Sequence, residues 1–382
     1  LSRKRSFDSQ KFPDKLVSYM PQHVIRPTFD AKDFVHLHLH TDYSLLQSTV
    51  QLKPLAKRLA ELNQKACAIT DYGNMYGAIA FFNAMAGAGI KPIIGYEAHL
   101  RFGSRFDRST VVEAGEKGYY NLILLARNLE GYQNLVYIAS KAYTEGFQFK
   151  PRIDLELLSE KRAGLIGLSG GVAGPVGHFL STGNEKKALE NSEKLEEIFG
   201  QGNFFLEISE DPADKNRDLI KQTVSLSKKS GIPLVATNDV HYLDRDDARA
   251  QQLLTCIEDG RSLGQMQDPK EAVRYLRSTE EMWEIFGSEL PESLTNTVRI
   301  AEMCNLEIPQ GDEVRQLPNY PIPADSGARS VDEYFEKVMW DGFEDRRATD
   351  WEPMIALGTL KHDLSEYRER LEIEIQTIKK MG

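Results

Sequence analysis

The sequence predicts an α/β protein built on parallel strands, and three observations support that expectation. Seven short runs rich in Val, Ile, Leu and Phe alternate with amphipathic helical stretches. The polar residues that interrupt those runs gather near their C-terminal ends. The segment FVHLHLHTDYSLLQS (34–48) places His36, His38 and His40 at every second position. In an extended strand such positions share one face, so the imidazoles would line one side and Leu37 and Leu39 the other. An unpartnered imidazole costs free energy to bury, so three in a row suggest a polar or metal-lined interior.

Taken in order, residues 1–33 show weak periodicity and read as an N-terminal extension. Strands are expected at 34–41, 65–71, 91–100, 121–127, 164–170, 203–209 and 233–241. Leu52, Leu55, Ala56, Leu59 and Leu62 recur on one helical face, and Leu129, Leu135, Val136, Ile138 and Ala139 suggest a second helix. The stretches 184–200 and 211–230 read as two more, each with a Gly near its end. Strands alternating with helices imply parallel pairing through right-handed crossovers, and seven or eight such units can close into a barrel. The polar strand ends carry His38, His40, Asp71, Glu97, Asn238, Asp239 and His241. That end is the functional face of a β/α barrel and equally of an open doubly wound sheet, so position alone leaves closure open.

From about residue 245 the pattern turns helical, at 245–258, 278–286 and 291–304. QGDEVRQLPNYPIPADSGAR (310–329) is rich in Pro, Gly and Asp and reads as a linker. Ser330 and Glu333 form a capping-box pattern opening a helix whose Tyr334, Phe335, Val338 and Met339 are expected in a core. YRERLEIEIQTIKKMG spaces Leu371, Ile375 and Ile378 helically and stops at Gly382, so the natural chain is expected to continue. The organisation expected is an extension at 1–33, one domain at 34–290, and a helical segment at 291–382.

Composition narrows the classes. At 382 residues the chain is long enough for a large core and two or three domains. No apolar run approaches the ~20 residues that span a bilayer, and the polar N-terminus lacks the apolar segment of a signal peptide. Cys67, Cys256 and Cys304 lie far apart, which indicates neither a disulfide framework nor a zinc knuckle and fits a reducing cytoplasm. A net charge of −10 argues against this piece alone gripping a nucleic-acid backbone.

The chemistry concentrates at the strand ends. His38 and His40 can ligate a common ion, Asp239 and His241 repeat the spacing, and Glu97 could bridge ions. Two or three such ions would activate water for phosphoester cleavage. The alternative is a polar barrel mouth whose His and Asp residues only hydrogen-bond one another, and residue types do not choose between them. GLSGGVAGPVG (167–177) lacks the G-K-[ST] ending of a phosphate loop and reads as a tight turn. His23, His99, His178 and His362 read as surface or satisfied residues, with His99 sharing a strand face with Glu97.

FVHLHLHTDYSLL, AITDYGNMYGAIAFFNAMAGAGIKPIIGYEAHL and ATNDVHYL together resemble the PHP (polymerase and histidinol phosphatase) domain of the bacterial C-family replicative polymerases, the DNA polymerase III alpha subunits. LPNYPIP and RLEIEIQTIKKMG resemble the entry into that family's polymerase core. The resemblance implies a seven-stranded distorted β/α barrel followed by a mostly helical segment leading into a polymerase palm. It also implies a metal centre in which His38, His40, Glu97, Asp239 and His241 match family ligands. Four positions depart. Gln47 stands where an Asp is usual, Tyr72 and Asn121 where His is usual, and Gly171 where a Cys is usual. A centre so reduced is expected to hold at most one divalent ion (zinc, manganese or magnesium) or none, and to act mainly as a scaffold in DNA replication. A residual metal-dependent phosphoesterase or 3′–5′ exonuclease is the alternative. No residue here is expected to join nucleotides, because the family carries that chemistry on palm carboxylates. The partners implied are the rest of such a subunit, the DNA its core holds and, in some members, a separate proofreading exonuclease subunit.

Overall fold

The structure, a computed structural model, describes residues 25–109, 115–210, 216–262, 273–310 and 320–381. Most of the expected extension and part of the expected linker therefore lie outside the described residues. The chain divides into two compact units, Leu1–Pro309 and Gln310–Gly382.

The first unit holds a curled mixed sheet of seven strands: β1 (Ala66–Ile69), β2 (Lys91–Arg101), β3 (Tyr120–Ala126), β4 (Arg152–Asp154), β5 (Leu165–Leu168), β6 (Phe204–Ser209) and β7 (Leu234–Thr237). Their order is β1-β2-β3-β5-β6-β7, and β4 pairs with the end of β2. Pairing is not uniformly parallel as expected: β3 runs antiparallel to both β2 and β5. A parallel return needs a crossover, and the connection from β2 to β3 carries no helix among its described residues.

The histidine segment also departs from expectation. It is not a continuous strand. Its isolated parallel bridges join His36 to Cys67 of β1 and Leu39 to Val240 just beyond β7. Ala68 N–H donates to the His36 carbonyl at 2.8 Å, and His40 N–H donates to the Val240 carbonyl at 2.8 Å. The segment thus ties the two ends of the curled sheet together. A bend at His38 shifts the alternation, so Leu37 joins the core inside the sheet while Leu39 packs outward.

Both faces of the sheet are covered, which is why the strands read as continuous apolar runs. Inside, Leu37, Ala68, Ile93, Ile123, Phe205 and Val235 meet Ile300 and Ala301 of α10 (Pro291–Met303). Outside, Leu122 and Leu124 of β3 meet Leu135 and Ile138 of α3 (Leu129–Thr144). The helix expected at 52–62 is α1 (Leu52–Glu61), with Leu55, Ala56 and Leu59 buried. α10 packs into this core, within the first unit that runs to Pro309.

In the second unit, α11 (Val331–Arg346) opens at Ser330, whose hydroxyl accepts the Glu333 N–H at 3.1 Å. The reciprocal half of the expected box goes elsewhere: the Glu333 carboxylate accepts from Arg329 N–H. Among the described residues of this unit only Phe343 and Ile375 are buried apolar side chains, and Val338, expected in a core, is 46% exposed.

Gly95 sits where β1 and β3 press on β2 from both sides. A Cβ there would lie 2.8 Å from the Leu124 carbonyl oxygen and 2.9 Å from that of Ile69. Backbone on both sides leaves no soft direction, so Gly95→Ala is expected to cost about 1–3 kcal/mol, read as a lowered denaturant midpoint.

Candidate metal centre

Alternation along the strands carries the interior core upward into a polar cluster. Glu97 lies two pleats above Ile93 on β2, Glu207 one pleat above Phe205 on β6, and Thr237 one above Val235 on β7. Asp239 follows two residues later with φ at +44°, a left-handed conformation that Asp tolerates better than most residues. Because β3 is antiparallel, it presents the start of its strand, Asn121, to the same cleft.

Four donor atoms converge. His38 Nε2 lies 2.9 Å from Glu97 Oε2 and 3.4 Å from Asp239 Oδ1. His40 Nε2 lies 3.0 Å and 3.3 Å from the same two oxygens. The two Nε2 atoms are 3.2 Å apart. Ligands about 2.0–2.1 Å from a tetrahedral zinc sit roughly 3.3 Å from one another, so these separations match a shared ion. His241 reaches the group through Asp239 Oδ1, at 3.0 Å.

The other ring nitrogens are committed. His38 Nδ1 faces Glu207 Oε1 at 2.7 Å, and His241 Nδ1 donates to the Gln47 carbonyl at 2.8 Å. His40 Nδ1 donates to Ser44 Oγ at 3.1 Å, which itself donates to Asp71. A ring protonated at Nδ1 carries a lone pair at Nε2 unless it takes a second proton. Two such lone pairs facing each other and two carboxylates repel unless positive charge lies among them. The donor set of two imidazoles and two carboxylates therefore fits a divalent cation, and His38, His40 and Asp239 together form a group able to hold a metal ion.

The proton equilibria express the same demand. Burial pushes His38 down, but Glu207, Asp239 and Glu97 outweigh it and hold the ring well above its ordinary range. Burial likewise opposes, and Asp239 and Glu97 overcome, a raised value at His40. Burial would raise Glu97, yet His38 and His40 bring it down to about 2. For Asp239, Arg274, His241 and His38 overcome burial and hold the carboxyl well below its usual range. Arg274, 3.3 Å from Asp239 Oδ2, adds a fixed positive charge at the rim.

The departing positions divide. Tyr72, Asn121 and Gly171 line the cleft, an open space of about 560 Å³ that Glu207, Asn238 and Arg274 also border. The Tyr72 ring stacks on His40 with centroids 4.1 Å apart. Burial, then Glu97 and Asp239, raise its hydroxyl well above the ordinary value, so the phenol stays neutral. Gly171 has φ at +54°, and a Cβ there would meet only Ser209 Oγ, at 3.8 Å. Gln47 instead turns its side chain to Glu258 and serves the cluster only through its backbone carbonyl.

His36, on the same expected face, is drawn away by the bend and bonds the Arg277 carbonyl at 2.9 Å. His99 is buried, with Nδ1 on the Pro151 carbonyl. His178 and His362 bond Gly115 and Glu366, and His23 lies outside the described residues. The residue that sequence reasoning missed is Glu207. Its signal was a lone carboxylate inside the apolar run FFLEIS.

Residues 36–211 match the PHP domain family. Similarity extends beyond them. DNA polymerase III subunit alpha of Treponema pallidum is 41% identical over 317 residues, covering 82% of this chain and 26% of that protein. The Deinococcus radiodurans protein of the same name is 42% identical over 307 residues, covering 76% of this chain and 22% of its own length. That of Escherichia coli K12 is 37% identical over 355 residues, covering 91% and 28%. The chain thus spans about a quarter of the length of the curated relatives it matches. No helix among the described residues is long and apolar enough to cross a membrane.

A depressed carboxyl contributes stability that is present above its unfolded value and lost as pH falls through its folded one. With metal chelated, stability is expected to drop by roughly 3 kcal/mol as pH falls from about 4.5 to about 2 through Glu97. Glu97→Gln should flatten that part of the stability–pH profile measured by denaturant unfolding.

Proposed function

We propose that this chain, which carries a PHP domain and is similar along most of its length to the bacterial DNA polymerase III alpha subunits, forms the N-terminal part of such a subunit and works in DNA replication. The likeness carries this reading, since it covers 91% of the chain in one relative, well beyond the residues 36–211 that match the PHP domain. In this reading nucleotide joining belongs to other parts of the subunit. The partners are those parts, the DNA they hold and a separate proofreading exonuclease. The place of work is the cytoplasm.

Within the subunit the PHP domain is mainly a scaffold whose metal centre is reduced to one divalent ion, zinc, manganese or magnesium. His38, His40, Glu97 and Asp239 would hold it, with His241 steadying Asp239. A bound ion supplies positive charge and Lewis acidity. Further ions lack ligands. Tyr72 is a neutral phenol stacked on His40, Asn121 offers only an amide, Gly171 has no side chain, and Gln47 points away. Without the charge that offsets ion desolvation, these positions bind a second cation poorly.

Elemental analysis of purified chain is expected to find no more than one ion, lost in His38→Ala. Tyr72→His combined with Asn121→His should raise the content above one. Three bound ions with manganese-dependent removal of DNA 3′ ends, abolished by His38→Ala, would instead establish the phosphoesterase reading.

A further inference from the structure

We infer that Glu207 is a positioning residue for the metal centre: it fixes His38 with its proton on Nδ1, so that Nε2 faces the ion. The inference rests on the metal reading above and adds a residue to it. Glu207 Oε1 stands 2.7 Å from His38 Nδ1 on the side of the ring away from the donor cluster. The other face of that ring, Nε2, lies within 3.4 Å of Glu97 and Asp239. Glu207 therefore cannot share the ion through the same imidazole edge. It acts on the ligand from behind, as outer-shell carboxylates do when they set a histidine's tautomer and raise its basicity.

Three features hold Glu207 in place. Its backbone N–H donates to Ser169 Oγ at 2.9 Å, across from β6 to the end of β5. The Thr237 hydroxyl of β7 donates to the same Oε1 that His38 uses. The side chain is only 1% exposed, so water does not compete for Oε1. Its second oxygen, Oε2, is buried without a partner. Keeping a buried carboxylate with one oxygen unsatisfied costs free energy, a cost that a purely structural contact would avoid by using a neutral residue. The other two histidines are pinned by neutral acceptors, Ser44 and the Gln47 carbonyl. His38 alone has a carboxylate in direct contact behind it, whereas His40 reaches Asp71 only through Ser44.

The test uses the full chain as wild type, Glu207→Gln and Glu207→Ala, with two readouts. In metal-free protein His38 is held in its doubly protonated form, and long-range ¹⁵N–¹H spectra report the strength of its Nδ1–H hydrogen bond. Wild type is expected to show Nδ1 protonated with a far-downfield proton. Glu207→Gln should keep the Nδ1 proton but move it upfield, because the bond loses its charged acceptor. Glu207→Ala should abolish the far-downfield Nδ1 proton while the Nε2 signal, facing Glu97 and Asp239, stays in place. Cobalt titration followed by visible absorption should show affinity falling about 10-fold in the Gln variant and up to about 100-fold in the Ala variant. A wild type that takes up no cobalt would remove the metal reading, and the His38 spectrum would still decide this one. His38 signals in Glu207→Gln identical to wild type would overturn it, even if Glu207→Ala fails to fold.

Discussion

Negative charge with nowhere to go organises the upper half of this molecule. Glu97 and Asp239 stand within hydrogen-bond distance of two imidazole nitrogens whose opposite edges are already committed. The cluster is largely sealed from solvent: His38, His40 and Glu97 are buried, and Asp239 opens only partly to the cleft. In such a place an unbalanced carboxylate is costly. Two extra protons on the histidines or one divalent cation can balance it, and the geometry of the donors suits the cation.

The fold supports that demand from below. The interior of the curled sheet is filled by apolar side chains and plugged by α10, so the polar groups cannot sink into it. The segment carrying His38 and His40 ties β1 to the end of β7. Loss of those histidines' positions would therefore open the sheet as well as the site. Scaffold and centre share one stretch of backbone.

Tyr72 and the loop around Gly171 are closely fitted to their surroundings. Tyr72 is not merely an absent histidine; its ring covers His40 and bridges through its backbone to Glu97. Gly171 and its glycine neighbours let the loop after β5 lie close against the backbone, where a Cβ at Gly170 would sit 2.1 Å from the Asn121 carbonyl oxygen. Tyr72, Asn121 and Gly171 bring no charge to their side of the cleft, while the opposite side carries His38, His40 and Asp239.

The sequence by itself determined the periodic features. Most strand and helix positions and the convergence of His38, His40, Glu97, Asp239 and His241 were legible because apolar runs, helical spacing and strand-end polarity are local signals. Tertiary structure decided what depends on direction and closure. The antiparallel β3, the bend that parts His36 from His38 and the seating of α10 in the first unit come from packing between distant segments. Glu207 belongs to this second group: one carboxylate in an apolar strand acquires meaning only when folding sets it 2.7 Å behind a histidine 169 residues earlier in the chain.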